Sequence, residues 1–140
     1  MSVHRLDVET SGLMVFALNA STQSNLSKQF QKRVVGKRYI ALVEHSPAGN
    51  QGAIEAPLVK DPEPTHWPRQ KICHDSGRPS RTLWRVHERP IDEPLRQQGR
   101  TARLELRPET GRTHQIRVHL ASPPEELSLI HISEPTRPRE

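Results

Sequence analysis

Two stretches of the chain, Arg81–Glu88 and Thr101–Arg107, alternate apolar with polar residues. This alternation is typical of a β-strand that buries one face against a core and turns the other towards solvent. A polar segment over residues 89–100 separates the two stretches. The pattern therefore predicts two neighbouring antiparallel strands, and it favours a fold built on an antiparallel sheet.

Other segments predict further strands. An apolar run over residues 13–18, with Gly and Asn at its ends, predicts a buried strand. Shorter strands are expected over residues 37–43, 53–58 and 70–74. Prolines between residues 60 and 69 break any regular pattern there, so this stretch is expected to be an irregular loop.

The segment after the apolar run predicts a helix. Leu26, Phe30 and Val34 recur at helical spacing and form one apolar stripe. The side chain of Asn19 is well suited to cap the N terminus of this helix. Gly36 is expected to end it, because glycine readily takes the left-handed conformation that closes a helix.

A second helix is expected over residues 113–121, with a threonine as its N-cap and with Ile116 and Leu120 facing the core. Two histidines in this segment, His114 and His119, are five positions apart and do not share a helix face. The single cysteine of the chain has no thiol partner. We therefore expect no metal site.

The composition indicates the kind of partner. The formal net charge is +5 with an isoelectric point near 10.0, and arginine outnumbers lysine. This favours a polyanionic partner, nucleic acid before an anionic membrane, although a basic protein without such a partner also fits. The lone Cys73 excludes an intrachain disulfide and indicates a reducing compartment. Because no apolar stretch is long enough to span a bilayer and residues 1–12 do not resemble a signal peptide, we expect a cytoplasmic protein.

The first residues hold a candidate reactive group. Asp7 lies between Arg5 and a turn, directly before the apolar run. A loop that leads into a core strand is a rigid place from which to present a catalytic carboxylate. The same residues also suit a charged turn in which Asp7 pairs with Arg5. Tyr39, taken alone, is expected as a core or interface tyrosine, so the residues by themselves leave these alternatives open.

Three segments share their order and approximate spacing with the motifs of one enzyme family. They are His4–Gly12, Lys37–Ala41 and Thr110–His119. Together they resemble the three motifs of the RluA-like pseudouridine synthases, of which the first reads HRLDxxTSG. Parts of residues 57–82 are also similar to the RluA subgroup, which modifies large-subunit ribosomal RNA and a tRNA anticodon stem-loop.

The resemblance implies an α+β fold, with a mixed, mainly antiparallel β-sheet and flanking helices. It implies isomerisation of uridine to pseudouridine in structured RNA (ribosomal RNA, tRNA or both) by a monomer that needs no metal or organic cofactor. In this interpretation Asp7 is the nucleophile on a flipped-out uridine, and the charge of Arg117 keeps it ionised. Tyr39 matches the tyrosine that lies against the target base and assists proton removal.

The resemblance also suggests which cations contact RNA. Arg5 matches an arginine that enters the space left by the flipped base, where a planar guanidinium stacks well. Backbone contacts are expected from Lys37, Arg112, Arg69 and Lys71, each of which would equally suit a solvated surface.

Both ends of the chain depart from the family pattern. Relatives carry a strand and a loop before the first motif and further strands after the third, whereas here the first motif begins at His4. We therefore expect residues 1–124 to be a partial catalytic domain that is unstable and weakly active or inactive alone. Hydrophobic residues make up only 32% of the chain, which agrees with a missing part of the core. The segment over residues 125–140 resembles the translation of a sequencing adapter and is expected to be a non-native tail.

Two functions of other classes compete with catalysis. The chain could be a non-catalytic RNA-binding protein or rRNA chaperone, or a basic structural protein of the ribosome. The set formed by Asp7, Tyr39 and Arg117 separates these from an enzyme. Simple binding does not need an ionised carboxylate facing a polyanion, because such a group repels phosphate.

Overall fold

The computed structural model of the protein describes residues 1–7, 10–44, 46–62, 70–88, 101–112, 114–121 and 129–133. Eight strands and two helices lie within these residues. The strands are β1 (Thr10–Ser11), β2 (Tyr39–Val43), β3 (Gln51–Glu55), β4 (Leu58–Lys60), β5 (Gln70–Ile72), β6 (Arg81–Glu88), β7 (Ala102–Pro108) and β8 (Leu129–Ser133). The helices are α1 (Ala20–Gln31) and α2 (Gln115–Ala121).

Six strands form one sheet in the order β1-β8-β2-β7-β6-β3. Only the contact of β1 with β8 is parallel, and the other neighbours in this sheet are antiparallel. The strands β4 and β5 form a separate antiparallel pair. The predicted mixed, mainly antiparallel sheet with helices is therefore confirmed. In particular, β6 and β7 pair with each other as the alternating pattern predicts.

One face of the large sheet carries the core. The register places Leu104 opposite both Ala41 and Val86, so apolar side chains of β2, β7 and β6 meet in one layer. Helix α2 packs against this layer through Ile116 and Leu120, as predicted, and both are buried. Burial of side chains of this size contributes about 1.5–3 kcal/mol each to folding. Neither helix in the described part of the chain is long and apolar enough to cross a membrane.

Helix α1 begins as predicted but ends earlier. The Asn19 side-chain oxygen accepts a hydrogen bond of 2.8 Å from the backbone N–H of Thr22, so Asn19 is the N-cap. The predicted end at Gly36 is wrong, because Arg33 takes the left-handed conformation with φ 58° and stops the helix five residues before it. Val34 therefore leaves the apolar stripe and is 67% exposed.

The predicted buried strand over residues 13–18 is wrong. The chain turns away from β1 at Gly12, whose φ is 146°, and the segment makes a single bridge at Phe16. Because no other strand of the described residues runs beside it, most of its side chains stay exposed. Leu18 is 97% exposed, and Ala17 is the one residue of the run that is buried.

Two other predictions differ in detail. The strand expected over residues 53–58 is divided, because β3 ends at Glu55 and β4 begins at Leu58 after a proline. Most of the loop expected over residues 60–69 lies outside the described residues. Strand β8 lies between β1 and β2, inside the segment 125–140 that is predicted to be a non-native tail. That prediction concerns the coding sequence and stays a prediction.

Candidate active site

Three parts of the chain that are distant in sequence meet at one cavity of about 220 Å³. They are the loop before β1, the residues at the start of β2, and the turn after β7 together with the first turn of α2. Six of the eight predicted site residues line this cavity: Asp7, Tyr39, Arg117, Arg5, Lys37 and Arg112. The fold therefore brings the predicted catalytic residues and three predicted RNA contacts together.

Asp7 stands at one wall of the cavity. Its backbone carbonyl accepts a hydrogen bond of 2.9 Å from the N–H of Thr10, which closes the turn that leads into β1. Its carboxylate lies 3.9 Å from Nε2 of His114, and the Asp7 side chain is 32% exposed. His114 is held in the left-handed region with φ 54°, directly before α2. The carboxylate is thus reachable from solvent and has a nitrogen base beside it.

The turn that lines the cavity after β7 is held by a buried amide. The side-chain oxygen of Gln115 accepts hydrogen bonds from the Thr110 hydroxyl at 2.5 Å and from the Arg112 backbone N–H at 3.1 Å. Its nitrogen donates to the Arg81 carbonyl and to the Thr82 hydroxyl, both at 2.9 Å. Gln115 is buried and makes every hydrogen bond that an amide has available. It therefore ties the turn that lines the cavity to strand β6.

This network continues into the core through His119. Nδ1 of His119 lies 2.9 Å from the Thr82 hydroxyl, and Nε2 lies 2.9 Å from the carbonyl oxygen of Ala56. Because a carbonyl only accepts, Nε2 carries the proton and Nδ1 accepts from Thr82. Thr82 and His119 are fully buried. A chain of satisfied hydrogen bonds thus connects the cavity wall with the link between β3 and β4.

A cluster of rings positions the end of α1. The ring of His4 stacks on Phe30 with centroids 4.7 Å apart, and Nζ of Lys37 lies 5.5 Å from the centroid of Phe30. Nε2 of His4 accepts a hydrogen bond of 2.9 Å from the backbone N–H of Val15. Burial, with a smaller contribution from the charge of Lys37, lowers the pKa of His4 below its ordinary value. His4 therefore remains the neutral acceptor that this contact needs.

Arg112 and Lys71, two of the predicted RNA contacts, lie at different places in the structure. The guanidinium of Arg112 donates from Nε and Nη2 to the carbonyl of Pro79, both at 3.3 Å, at the edge of the cavity. Lys71 is exposed on β5, in the two-stranded sheet, and does not line the cavity. Arg69 and the predicted helix cap Thr113 lie outside the described residues.

Two residues of the site were not predicted from the sequence, His114 and Gln115. Both belong to the third motif, and the signal that could have identified Gln115 is an amide placed among buried positions at the start of α2. His114 could have been suspected as a polar ring directly before that helix. Among the residues that the structure describes, no three His, Cys, Asp or Glu side chains come together as a metal site would require.

Comparison with known proteins shows the family. Residues 1–122 match the family described as RNA pseudouridylate synthase. The dual-specificity RNA pseudouridine synthase RluA of Escherichia coli O157:H7 is 40% identical over 122 residues, which cover 85% of this chain and 50% of that protein. The dual-specificity RNA pseudouridine synthase RluA of Vibrio vulnificus (strain CMCP6) is 44% identical over 121 residues, which cover 84% of this chain and 45% of that protein. The chain thus spans about half the length of these curated relatives.

Solved structures share the fold. Human RNA Pseudouridylate Synthase Domain Containing 1 superposes with a TM-score of 0.76 at 23% identity, over 95% of this chain and 61% of that one. Human RNA Pseudouridylate Synthase Domain Containing 4 superposes with a TM-score of 0.67 at 27% identity, over 86% of this chain and 46% of that one. The family match includes all three segments that line the cavity. The chain therefore belongs to the RNA pseudouridylate synthase family.

Proposed function

We propose that this protein isomerises uridine to pseudouridine within RNA. The observation that carries the proposal is the meeting of Asp7, Tyr39 and Arg117 in one cavity, although more than a hundred residues separate the first from the last. Membership of the family and the similarity to relatives that are named RNA pseudouridine synthases support it.

The reaction rearranges one nucleotide and consumes nothing. The bond between C1′ of the ribose and N1 of the base breaks, the base turns, and a bond forms between C1′ and C5. The proton on C5 then leaves, and N1 acquires one. Asp7 is the nucleophile that holds the sugar or the base while the two parts are separate, a role that requires the ionised carboxylate.

The neighbours of Asp7 suit this chemistry. Arg117 lines the same cavity and brings a positive charge to it. Tyr39 lines the same cavity, at the start of β2, where it stacks against the target base and assists removal of the C5 proton. His114, 3.9 Å from the Asp7 carboxylate, orients that group.

RNA binding uses the cations around the cavity. Extracting a uridine from a stacked helix costs a few kcal/mol, and Arg5 offsets this by filling the vacant place. Lys37 and Arg112 contact neighbouring phosphates, and Lys71 extends the contact outside the cavity. Arg69 is proposed as a further RNA contact. We infer that the substrate is structured RNA, either ribosomal RNA or tRNA, and that the protein acts as a monomer in the cytoplasm.

The proposal is tested with RNA that carries tritium at C5 of uridine, because loss of the C5 proton releases tritium to water. Because the sequence predicts weak activity at best, the protein is used in excess over RNA, and the parent is expected to release tritium slowly. Asp7→Asn should abolish release while RNA affinity, measured by filter binding, stays within about twofold of the parent, since the two side chains have the same size. Asp75→Asn is the matched control, because Asp75 lies in an exposed turn outside the cavity.

Two results would overturn the proposal. A parent protein that melts cooperatively, binds RNA and releases no tritium would favour the non-catalytic RNA-binding alternative. Release by Asp7→Asn at the parent rate would show that Asp7 is not the nucleophile.

A further inference from the structure

The face of the large sheet opposite the core carries a buried acid surrounded by arginines. Glu105 lies on this face, between two leucines of β7 that face the core, and is only 4% exposed. Nη2 of Arg85 is 2.9 Å from one carboxylate oxygen, and Nε of Arg107 is 3.0 Å from the other. Nε of Arg38 is 3.9 Å from the oxygen that Arg85 contacts. One carboxylate thus holds three guanidinium groups.

The cluster carries surplus positive charge. Burial raises the pKa of Glu105, but hydrogen bonds from Arg85 and Arg107 and the charge of Arg38 outweigh it, so the pKa lies below its ordinary value. Glu105 is therefore ionised at neutral pH and neutralises one of the three cations. The side chains of Arg85, Arg107 and Arg38 are 59%, 49% and 37% exposed, so the surplus charge faces solvent.

Arg81, on the same strand as Arg85, shows the opposite balance. Its guanidinium lies 2.6 Å from a carboxylate oxygen of Glu55 and 2.8 Å from one of Glu109. Two acids surround one cation there, and the site has no surplus positive charge. The excess at Glu105 is therefore a property of that cluster and not of every arginine on the sheet.

Shared lining residues join the cluster to the active-site cavity through a series of clefts. A cleft of about 520 Å³ is lined by Arg85, Glu105 and Arg107. A second cleft of about 480 Å³, between the end of α1 and the pair β6–β7, shares Arg107 with the first. The second cleft also shares Lys37 and Arg112 with the cavity around Asp7. We call the path from the cavity to the Glu105 cluster the arginine groove.

We propose that the arginine groove binds the phosphate backbone of the RNA that flanks the target uridine. The inference rests on the proposed function, because it takes RNA as the substrate. Guanidinium groups pair with phosphate through parallel hydrogen bonds, and those of Arg85 and Arg107 are already oriented by Glu105, so little side-chain freedom is lost on binding. Each neutralised phosphate also releases counterions, which makes the contact dependent on salt.

The test compares two RNAs and two charge variants. One RNA is a short uridine-containing stem-loop, and the other is the same stem-loop with a flanking extension. The variant Arg85→Gln/Arg107→Gln removes two charges from the groove. Lys28→Gln/Lys32→Gln removes two charges from exposed positions on or next to α1 that lie outside the residues lining the three clefts. Dissociation constants are measured by filter binding over a range of salt concentrations.

We expect the groove variant to bind the extended RNA about tenfold more weakly and to lower the slope of log affinity against log salt by about 1.4–1.8, which is the loss of two phosphate contacts. Its affinity for the short stem-loop and its turnover at saturating RNA should match the parent, so KM rises without a change in kcat. The lysine variant should bind both RNAs with the affinity of the parent. If the groove variant does not fold, Arg85→Gln/Glu105→Gln/Arg107→Gln removes the uncompensated buried acid and takes its place.

Equal weakening by the groove and lysine variants, or an unchanged salt slope for the extended RNA, would overturn the proposal. The failures of the two proposals are distinguishable. If the parent releases no tritium, and the groove variant but not the lysine variant binds the extended RNA more weakly, the catalytic function is refuted and the groove is kept. An active parent whose groove variant binds both RNAs normally refutes the groove alone.

Discussion

Nε2 of His114 lies 3.9 Å from Oδ1 of Asp7, and the backbone of His114 is left-handed with φ 54°. Histidine tolerates this conformation better than most residues, but at some energetic expense. The conformation places the imidazole beside the carboxylate instead of on the outer face of α2. The relation therefore links a strained backbone position directly to the proposed nucleophile.

Replacing His114 should reduce turnover without disrupting the fold. His114→Asn keeps a residue that adopts φ > 0 readily but removes the imidazole. A half-exposed contact of this length contributes up to about 1 kcal/mol, so we expect a decrease in kcat of up to about fivefold. Tritium release at saturating RNA gives the rate, and a thermal melt checks the fold. His74→Asn, in an exposed turn, is the control, and equal rates for the two variants would refute the role of His114.

The hydroxyl of Thr82 should matter far more than that of Thr101, although both are buried. Thr82→Val removes the hydrogen bonds that its hydroxyl makes with Nδ1 of His119 and with one N–H of Gln115, and the loss of a buried hydrogen-bond partner costs about 1–3 kcal/mol. The Thr101 hydroxyl has no hydrogen-bond partner among the described residues, so Thr101→Val should be neutral or stabilising. The urea unfolding midpoints of the two variants measure these changes in stability. Equal destabilisation by the two substitutions would contradict this reading of the network.

The parts of the fold that the sequence predicts depend on local pattern. Alternation alone identifies β6 and β7, and helical spacing identifies α2, because in these elements the side chains that face the core recur at the period of the backbone. The candidate site is found in the same way, since Asp7, Tyr39 and Arg117 lie in short motifs. Their meeting in one cavity follows from strand order, which no local pattern contains.

The rest depends on contacts between distant residues. An apolar run predicts a buried strand only if another element covers it, and residues 13–18 have no such cover among the described residues. Both partners of the His119 ring, and two of the four partners of the Gln115 amide, lie more than thirty positions away in the chain, so no local pattern indicates them. Glu105 was also missed, because Arg38 and Arg85 come to it from two other parts of the sequence.

Gly77 is expected to be sensitive to substitution. A Cβ at this position would overlap the carbonyl oxygen of Cys73 and would lie 2.8 Å from the carbonyl carbon of Pro57. Both contacts involve backbone, which moves only by distorting the turn and the adjacent strands. Gly77→Ala should therefore destabilise by about 1–3 kcal/mol or more. Gly49→Ala, whose added Cβ would meet nothing closer than 3.8 Å, should change the unfolding midpoint little, and similar midpoints for the two variants would contradict the argument.

The stability of the protein should decrease as the pH falls through the titration of His4. Burial and the charge of Lys37 lower the pKa of His4 from its ordinary value of 6.5, so between the two values the unfolded state binds more protons than the folded state. The contribution of neutral His4 to stability is therefore fully present above about pH 6.5 and is lost as the pH falls through the folded-state pKa.

His4→Gln tests this, because it retains an acceptor for the Val15 N–H but does not titrate. Urea unfolding at about pH 7.5 and about pH 5 should show a smaller loss of stability for His4→Gln than for the parent. His74→Gln should keep the parent's loss, and a His4→Gln variant that loses as much stability as the parent would show that His4 is not the group responsible.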